Sequence, residues 1–262
     1  MDALYNQTLH HLDKAFKRLE AMVPPPQPMP YRDSFVFRYK EKTILQAMIQ
    51  KLARVVSGLH ATRLLCEHGL LQEQGALQRT LDEFHEDISF LVFAVINNEL
   101  TPLHKKYLDA FYKEQFDPKT GKALFDREMV PRKKIHAYLA RVEQQPKDPS
   151  SAVTLYRTIH KSYSGYIHGA SPQIMDMFGG NPPRFHIHGM AGTPRHDEHR
   201  YDLYNPFFRA IISFALAAKA FGDEELAQSL SAYHLEFDRV SGRNEAYENA
   251  PSRQPYSTPQ KS

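Results

Sequence analysis

Six of the chain's fourteen histidines, His160, His168, His186, His188, His196 and His199, fall between Tyr156 and Tyr201, interleaved with Arg, Tyr and Gly. Imidazole changes its charge near neutral pH and guanidinium grips carboxylate or phosphate, so this mixture has the side chains of an acid/base or anion-binding site. If the first part is helical, Tyr156, His160, Tyr163 and Ile167 form one stripe, and Arg157, Lys161, Ser164 and His168 form the polar stripe beside it. Gly169 reads as the residue just past the helix end, with Ser171-Pro172 opening a further short helix. His168 then occupies a last turn, where the helix dipole favours imidazolium, as suits a histidine that cycles a proton. The plainer reading is a histidine that caps the last carbonyls.

After the turn signal Gly-Gly-Asn-Pro-Pro comes Arg184-Phe185-His186-Ile187-His188-Gly189-Met190. An extended backbone would put Arg184, His186 and His188 on one face. His186 and His188 are spaced as a zinc pair, with a further ligand to come from His168, His196, His199 or Asp176. Neither a cysteine cluster nor an HExxH motif strengthens a metal site.

The elements that must hold these groups are helices. Leu4, Thr8, Leu12, Phe16, Leu19 and Val23 recur at helical spacing over residues 2–23, and the run Pro24-Pro25-Pro26-Gln27-Pro28 then reads as a stiff connector. Further helices are expected over 40–68, ended by Gly69, and over 70–98, with Gly75 a tolerated weakness. Others are expected over 102–115, from Pro131, over the 150–168 stretch, from Asn205-Pro206 to Gly222, and from Asp223 to about Val240. The segment PFFRAIISFALAAKAFG is apolar round most of its circumference and reads as the central helix. The expected fold class is all-α, a multi-helix bundle of seven to nine helices, with room for a short β-hairpin around residues 184–190. One domain is expected over 1–240 and a disordered, Pro-containing tail over 241–262.

Composition sets outer bounds. A net charge of +3 is far from the dense Lys/Arg excess of a dedicated nucleic-acid binder. The single cysteine, Cys66, allows no internal disulfide and sits in an apolar helical pattern, where it reads as packing. The first residues lack a signal peptide's basic and apolar regions, and no apolar run reaches the length of a membrane span, so a cytoplasmic location without membrane insertion is expected. A surplus apolar helix face would allow a homodimer.

The third helix also carries Arg79-Thr80-Leu81-Asp82-Glu83-Phe84-His85-Glu86-Asp87, dense in charge beside its apolar stripe. Arg79 and Glu83 are i,i+4 neighbours. They read either as an ion pair on a solvated face or as an Arg held by a carboxylate to face a polar site. Asp82, Glu86 and Asp87 are of the right type to reach a metal. The basic head of the fifth helix, Arg132-Lys133-Lys134, reads as solvated surface, with a phosphate contact as its functional alternative.

Arg79-x-x-x-Glu83 on an apolar helix, with Tyr163-Ser164-Gly165-Tyr166-Ile167-His168-Gly169 near the end of a later one, resembles a family of bacterial helical proteins of unknown function. That family in turn distantly resembles HEPN (higher eukaryote and prokaryote nucleotide-binding) domains. The resemblance covers about residues 40–220. It implies a helical bundle, often dimeric, whose active members cleave RNA without metal, a His moving the proton and an Arg stabilising the phosphorane. Active members carry Arg, then four to six residues, then His. Arg54 to His60, Arg63 to His68 and Arg79 to His85 fit that spacing, as many as chance supplies, and none includes His168.

Three functions follow as expectations. One is a metal-independent ribonuclease-type enzyme with His168 as acid/base, Arg79 (held by Glu83) or Arg184 as phosphate clamp, and Ser164 and Tyr163 as orienting groups, acting on RNA or a nucleotide. A second is a metal-binding protein or metal-dependent hydrolase that uses His186 and His188 on zinc or another divalent ion. The third is a non-catalytic helical module that binds a phosphate-bearing ligand or a partner.

Overall fold

Thr43 stops the chain from running helically out of the preceding loop: its hydroxyl accepts the Gln46 N–H and Gln46 reaches back to the Thr43 N–H, closing a capping box. From there α2 runs over Ile44–Glu67, and Gly69, at φ 67°, turns the chain into α3, Leu71–Ile96. The computed structural model of the protein describes residues 1–124, 128–142 and 163–243. Ahead of α2 lie α1, Asp2–Glu20, and an antiparallel hairpin of β1, Gln27–Tyr31, and β2, Ser34–Arg38. After α3 come α4, Pro102–Tyr112, capped by Thr101 with His104, and α5, Arg132–Val142. The chain is next described over the helical turn 163–168 (α6), then α7, Ser171–Met175, and a two-residue ladder of β3, Phe178–Gly179, with β4, Arg184–Phe185. It closes with α8, Pro194–Arg200, a 3-10 turn over Tyr201–Leu203, α9, Tyr204–Ala220, and α10, Glu224–Ser241, capped by Asp223 on the Leu226 N–H.

The architecture is the expected all-α bundle, and α9 is its centre, packed by α1, α2, α3 and α10. Phe207, Ala210, Ile211, Phe214, Ala217 and Ala218 of α9 are fully buried, in one core cluster with Leu12, Met48, Leu52, Leu81, Leu91 and Phe237. Helices α2 and α3 approach closely because Gly58 faces Leu81: a Cβ there would lie 2.6 Å from a leucine methyl. Among the described residues no helix is long and apolar enough to cross a membrane.

Two local expectations are corrected. The proline run is a connector only over its first part: Pro28 and Pro30 belong to β1, opposite Phe37 and Phe35. Low strand propensity hid this element, and Arg32-Asp33 is not an Asn-Gly-type turn. Residues 184–190 are not extended throughout. Strand β4 ends at Phe185, the Gly189 N–H bonds the His186 carbonyl, and Gly189 sits at φ 102°. The expected single face of Arg184, His186 and His188 therefore does not form. The cap of the 150–168 helix, its residues Tyr156, Arg157, His160 and Lys161, and the tail beyond residue 243 lie outside the described residues.

Candidate functional site

The charged face of α3 is buried, not solvated. Arg79, Asp82, His85, Glu86 and Asp87 are all less than 9% exposed, and their charge is met by neighbouring helices. Asp87 accepts from Lys51 Nζ of α2 at 2.8 Å and from Arg132 of α5 at 2.6 Å. Arg132 also lies 3.4 Å from Glu86 and 3.6 Å from Glu83, and Glu86 meets His136 Nε2 at 3.0 Å. Arg79 donates to Glu83 at 2.7 Å, and Arg209 of α9 pairs with Asp82. Among the described residues, four cations and four carboxylates thus neutralise one another along a seam that joins α2, α3, α5 and α9. Arg132 is the correction to the solvated-head expectation: it turns inward, while Lys133 and Lys134 stay exposed. Lys51, His136 and Arg209 were not singled out from sequence as parts of a site, and Arg132 only through the alternative of a phosphate contact. Helix α2 also carries Arg54, Arg63 and Glu67, and α9 also carries Lys219, so Lys51 and Arg209 did not stand out from the other charges of their helices.

The seam's electrostatics favour structure over proton transfer. Burial drives His85 well below its ordinary range, so it stays neutral, with Nδ1 2.9 Å from Ser213 Oγ. Burial also pushes the Asp82 carboxyl up to about 6; Glu86 adds to the rise, and Arg209 and Arg79 oppose it. A carboxyl with a raised folded-state pKa favours folding below its unfolded value, and that contribution is lost as pH rises through about 6. Asp82→Asn removes this titration. The stability of the variant relative to wild type is therefore expected to rise by up to about 3 kcal/mol between pH 4 and pH 7, read from urea melts across that range.

The histidine-rich stretch divides into separate neighbourhoods. Tyr163 is half-buried near Asp202 and Asp82, and burial, then those carboxylates, hold its phenol far above the ordinary value. Tyr166 lies on α3 at Gly75, where a Cβ would come within 2.8 Å of the ring, so Gly75 permits a close approach and is not merely a tolerated weakness. Ser164 is half-buried in the same turn, and Gly169 follows it at φ 59°, the expected helix-ending conformation. His168 and Arg184 are exposed, and among the described residues no hydrogen bond or ion pair joins either to Arg79, which is buried against Glu83. His186 Nε2 faces the Gly179 carbonyl at 3.2 Å, and His188 is exposed. Among the described residues no three His, Cys, Asp or Glu side chains are grouped to hold a metal ion.

A different part of the stretch lines a cavity of about 1020 Å³. Its walls are the start of α1 (Asp2, Tyr5), the end of α2 (Arg63, Cys66, Glu67), α8 with the turn after it (His196, Asp197, Arg200, Tyr201), Tyr204 of α9, and Ser241 and Arg243 beyond them. His196 is fixed in place. Its Nε2 donates to the Cys66 carbonyl at 2.6 Å and its Nδ1 accepts the Gly192 N–H at 3.4 Å, so both ring nitrogens are committed. Burial pushes the Cys66 thiol up to about 11, which keeps it protonated and inert. Arg63 is held by Asn6 and by Glu67 at 3.3 Å. Arg200 is held far more loosely, by a 3.9 Å pairing with Asp2 between two exposed side chains. Tyr201, at the rim, is 74% exposed.

The fold and these sites define the chain as a helical bundle protein with a buried ionic seam and a separate ligand-sized pocket. It matches no family model, no curated protein and no solved structure.

Proposed function

We propose that the protein is a non-catalytic helical binding module for a small phosphate-bearing ligand, with the cavity between α1, α2, α8 and α10 as its receptor. The observation that carries this reading is Arg200, a guanidinium on the wall of a cavity of about 1020 Å³, held, among the described residues, only by a long and exposed carboxylate contact. An incoming phosphate can replace that contact with a shorter, bidentate one. Pockets of this size, part aromatic and with a few convergent polar groups, are the usual form of small-ligand sites. The groups that would catalyse RNA cleavage lend less support: His168 and Arg184 are exposed, Arg79 is buried beside Glu83, and both ring nitrogens of His196 are already bonded.

The test is a thermal-shift series with inorganic phosphate, mononucleotides and dinucleotides. A saturating ligand is expected to raise Tm by about 5 °C or more in the wild type. Arg200→Ala should abolish the shift while leaving the unliganded Tm unchanged, because Arg200 is exposed and lightly paired. His168→Ala should keep it. No shift with any phosphate compound, or a full shift in Arg200→Ala, would overturn the assignment. RNA degraded by the wild type and spared by His168→Ala would replace it with the nuclease reading.

A further inference from the structure

A second cavity, of about 600 Å³, lies at the other ends of α1 and α2, where they meet the end of β2 and the end of α4. Helix α2 gives it apolar surface, from Ala53 and from Ile49, which is 2% exposed. The remaining walls are largely aromatic. Phe16 of α1, Phe37 of β2 with Tyr39 just after it, and Phe111 and Tyr112 of α4 with Phe116 beyond it all line the cavity. Phe111 and Tyr112 pack edge to face, with ring centroids 5.0 Å apart. Phe37 and Phe116 are 60% and 49% exposed, so apolar ring surface stands open to water at a cavity of the size that small molecules fill.

Five charged side chains also line this cavity, and two of them cancel. Arg38 grips Glu114 through two nitrogens, at 2.6 and 3.1 Å, which ties β2 to α4. The other three have no hydrogen bond or ion pair among the described residues: Glu20 at the end of α1, Lys42 just ahead of α2, and Lys113 at the end of α4. The Tyr39 phenol is held above its ordinary value by burial and then by Glu20, so the free carboxylate lies near an aromatic wall. The Glu114 carboxyl is held below its ordinary value, by Arg38 first and more weakly by Lys42, so that ammonium lies on the α4 side with Lys113. Lys42 is kept at φ 55°, a conformation that lysine rarely adopts.

We infer that this second cavity is a receptor for a free aromatic amino acid, bound as its zwitterion between Glu20 on one side and Lys42 and Lys113 on the other. The ligand's ring enters the aromatic walls, where offset and edge-to-face contacts are open to it on several sides. Its α-ammonium donates to the Glu20 carboxylate and gains attraction from the face of Tyr39. Its α-carboxylate accepts from the two lysines. A purely anionic ligand would leave Glu20 opposed to it, and a purely cationic one would meet two ammonium groups. The zwitterion answers all three free charges, and the rings select an aromatic side chain. This site shares no residue with the cavity of Arg200, so it stands apart from the phosphate assignment.

Isothermal titration calorimetry of the full chain tests the inference with L-phenylalanine and with probes that each lack one feature: 3-phenylpropionate the ammonium, phenethylamine the carboxylate, and L-leucine the ring. L-Phenylalanine is expected to bind, and each other probe to bind about threefold more weakly or less well still. Glu20→Gln should weaken L-phenylalanine by about threefold or more and should not weaken 3-phenylpropionate. Lys113→Gln should weaken both of these by about threefold or more and should not weaken phenethylamine. Both substitutions fall at exposed positions, so the fold is kept. No saturable binding of L-phenylalanine at millimolar concentration overturns the inference. So does any other probe that binds as tightly as L-phenylalanine, or an L-phenylalanine affinity unchanged in either variant.

Discussion

Asp87→Ala is expected to lower the stability of the fold by about 3 kcal/mol, near the lower end for breaking a buried ion pair. The carboxylate is buried and is shared by Lys51 and Arg132, whose side chains are 13% and 23% exposed. Removing it strips Lys51 of this carboxylate and leaves Arg132 the longer contacts to Glu86 and Glu83, with both cations only partly open to water. Equilibrium urea unfolding reads the loss as a lower midpoint at unchanged slope. Hydrogen exchange should show α5 opening first, since Arg132 and His136 are its polar ties to α3. Lys133→Ala, on the exposed side of the same helix, should stay within about 0.5 kcal/mol of wild type. A cost below about 1 kcal/mol for Asp87→Ala would mean that water screens the seam and that apolar packing alone holds α5.

Gly69→Ala should be at least as damaging, by about 3 kcal/mol or more, for a different reason. Gly69 sits at φ 67°, and a Cβ there would fall 2.2 Å from the Ala191 nitrogen and 2.6 Å from that of Met190. Its carbonyl accepts the Met190 N–H at 2.8 Å, which docks the segment leading into α8 onto the end of α2. Gly189 makes the reciprocal approach: a Cβ at that position would lie 2.1 Å from the His68 carbonyl oxygen. Gly222→Ala is the control: it has a similar φ of 77° but open space around it, so it should lose only the conformational term, about 1 kcal/mol. Because the Gly69 contact positions His196 and Arg200, Gly69→Ala should also lose the phosphate-dependent thermal shift, while Gly222→Ala retains it. Equal costs for the two substitutions would show that the docking contact is unimportant.

The bundle was legible in the sequence because its signals are local. Apolar residues three and four apart, Thr101 at a helix start, Gly69 and Gly222 after helix ends, and Asp223 before α10 each act within one or two turns. The centrality of α9 followed from a helix apolar on most sides. The β1–β2 hairpin was not legible, because two prolines in a five-residue strand contradict strand propensity and only the pairing with Phe35 and Phe37 reveals their use.

The site was legible only in part. Sequence marked Arg79, Glu83 and Tyr163 as unusual, and it marked the stretch that supplies His196, Arg200 and Tyr201. It read them together with His168, Arg184, His186 and His188, because alternation and helical stripes describe one element at a time. The charge on α3 was visible in the chain, but its neutralisation comes from residues 36, 45 and 127 positions away, at Lys51, Arg132 and Arg209. Local periodicity fixes which face of a helix is charged. Which helices lie against that face, and so whether it faces water, a ligand or other ions, depends on packing between distant segments, and only the tertiary structure decides it.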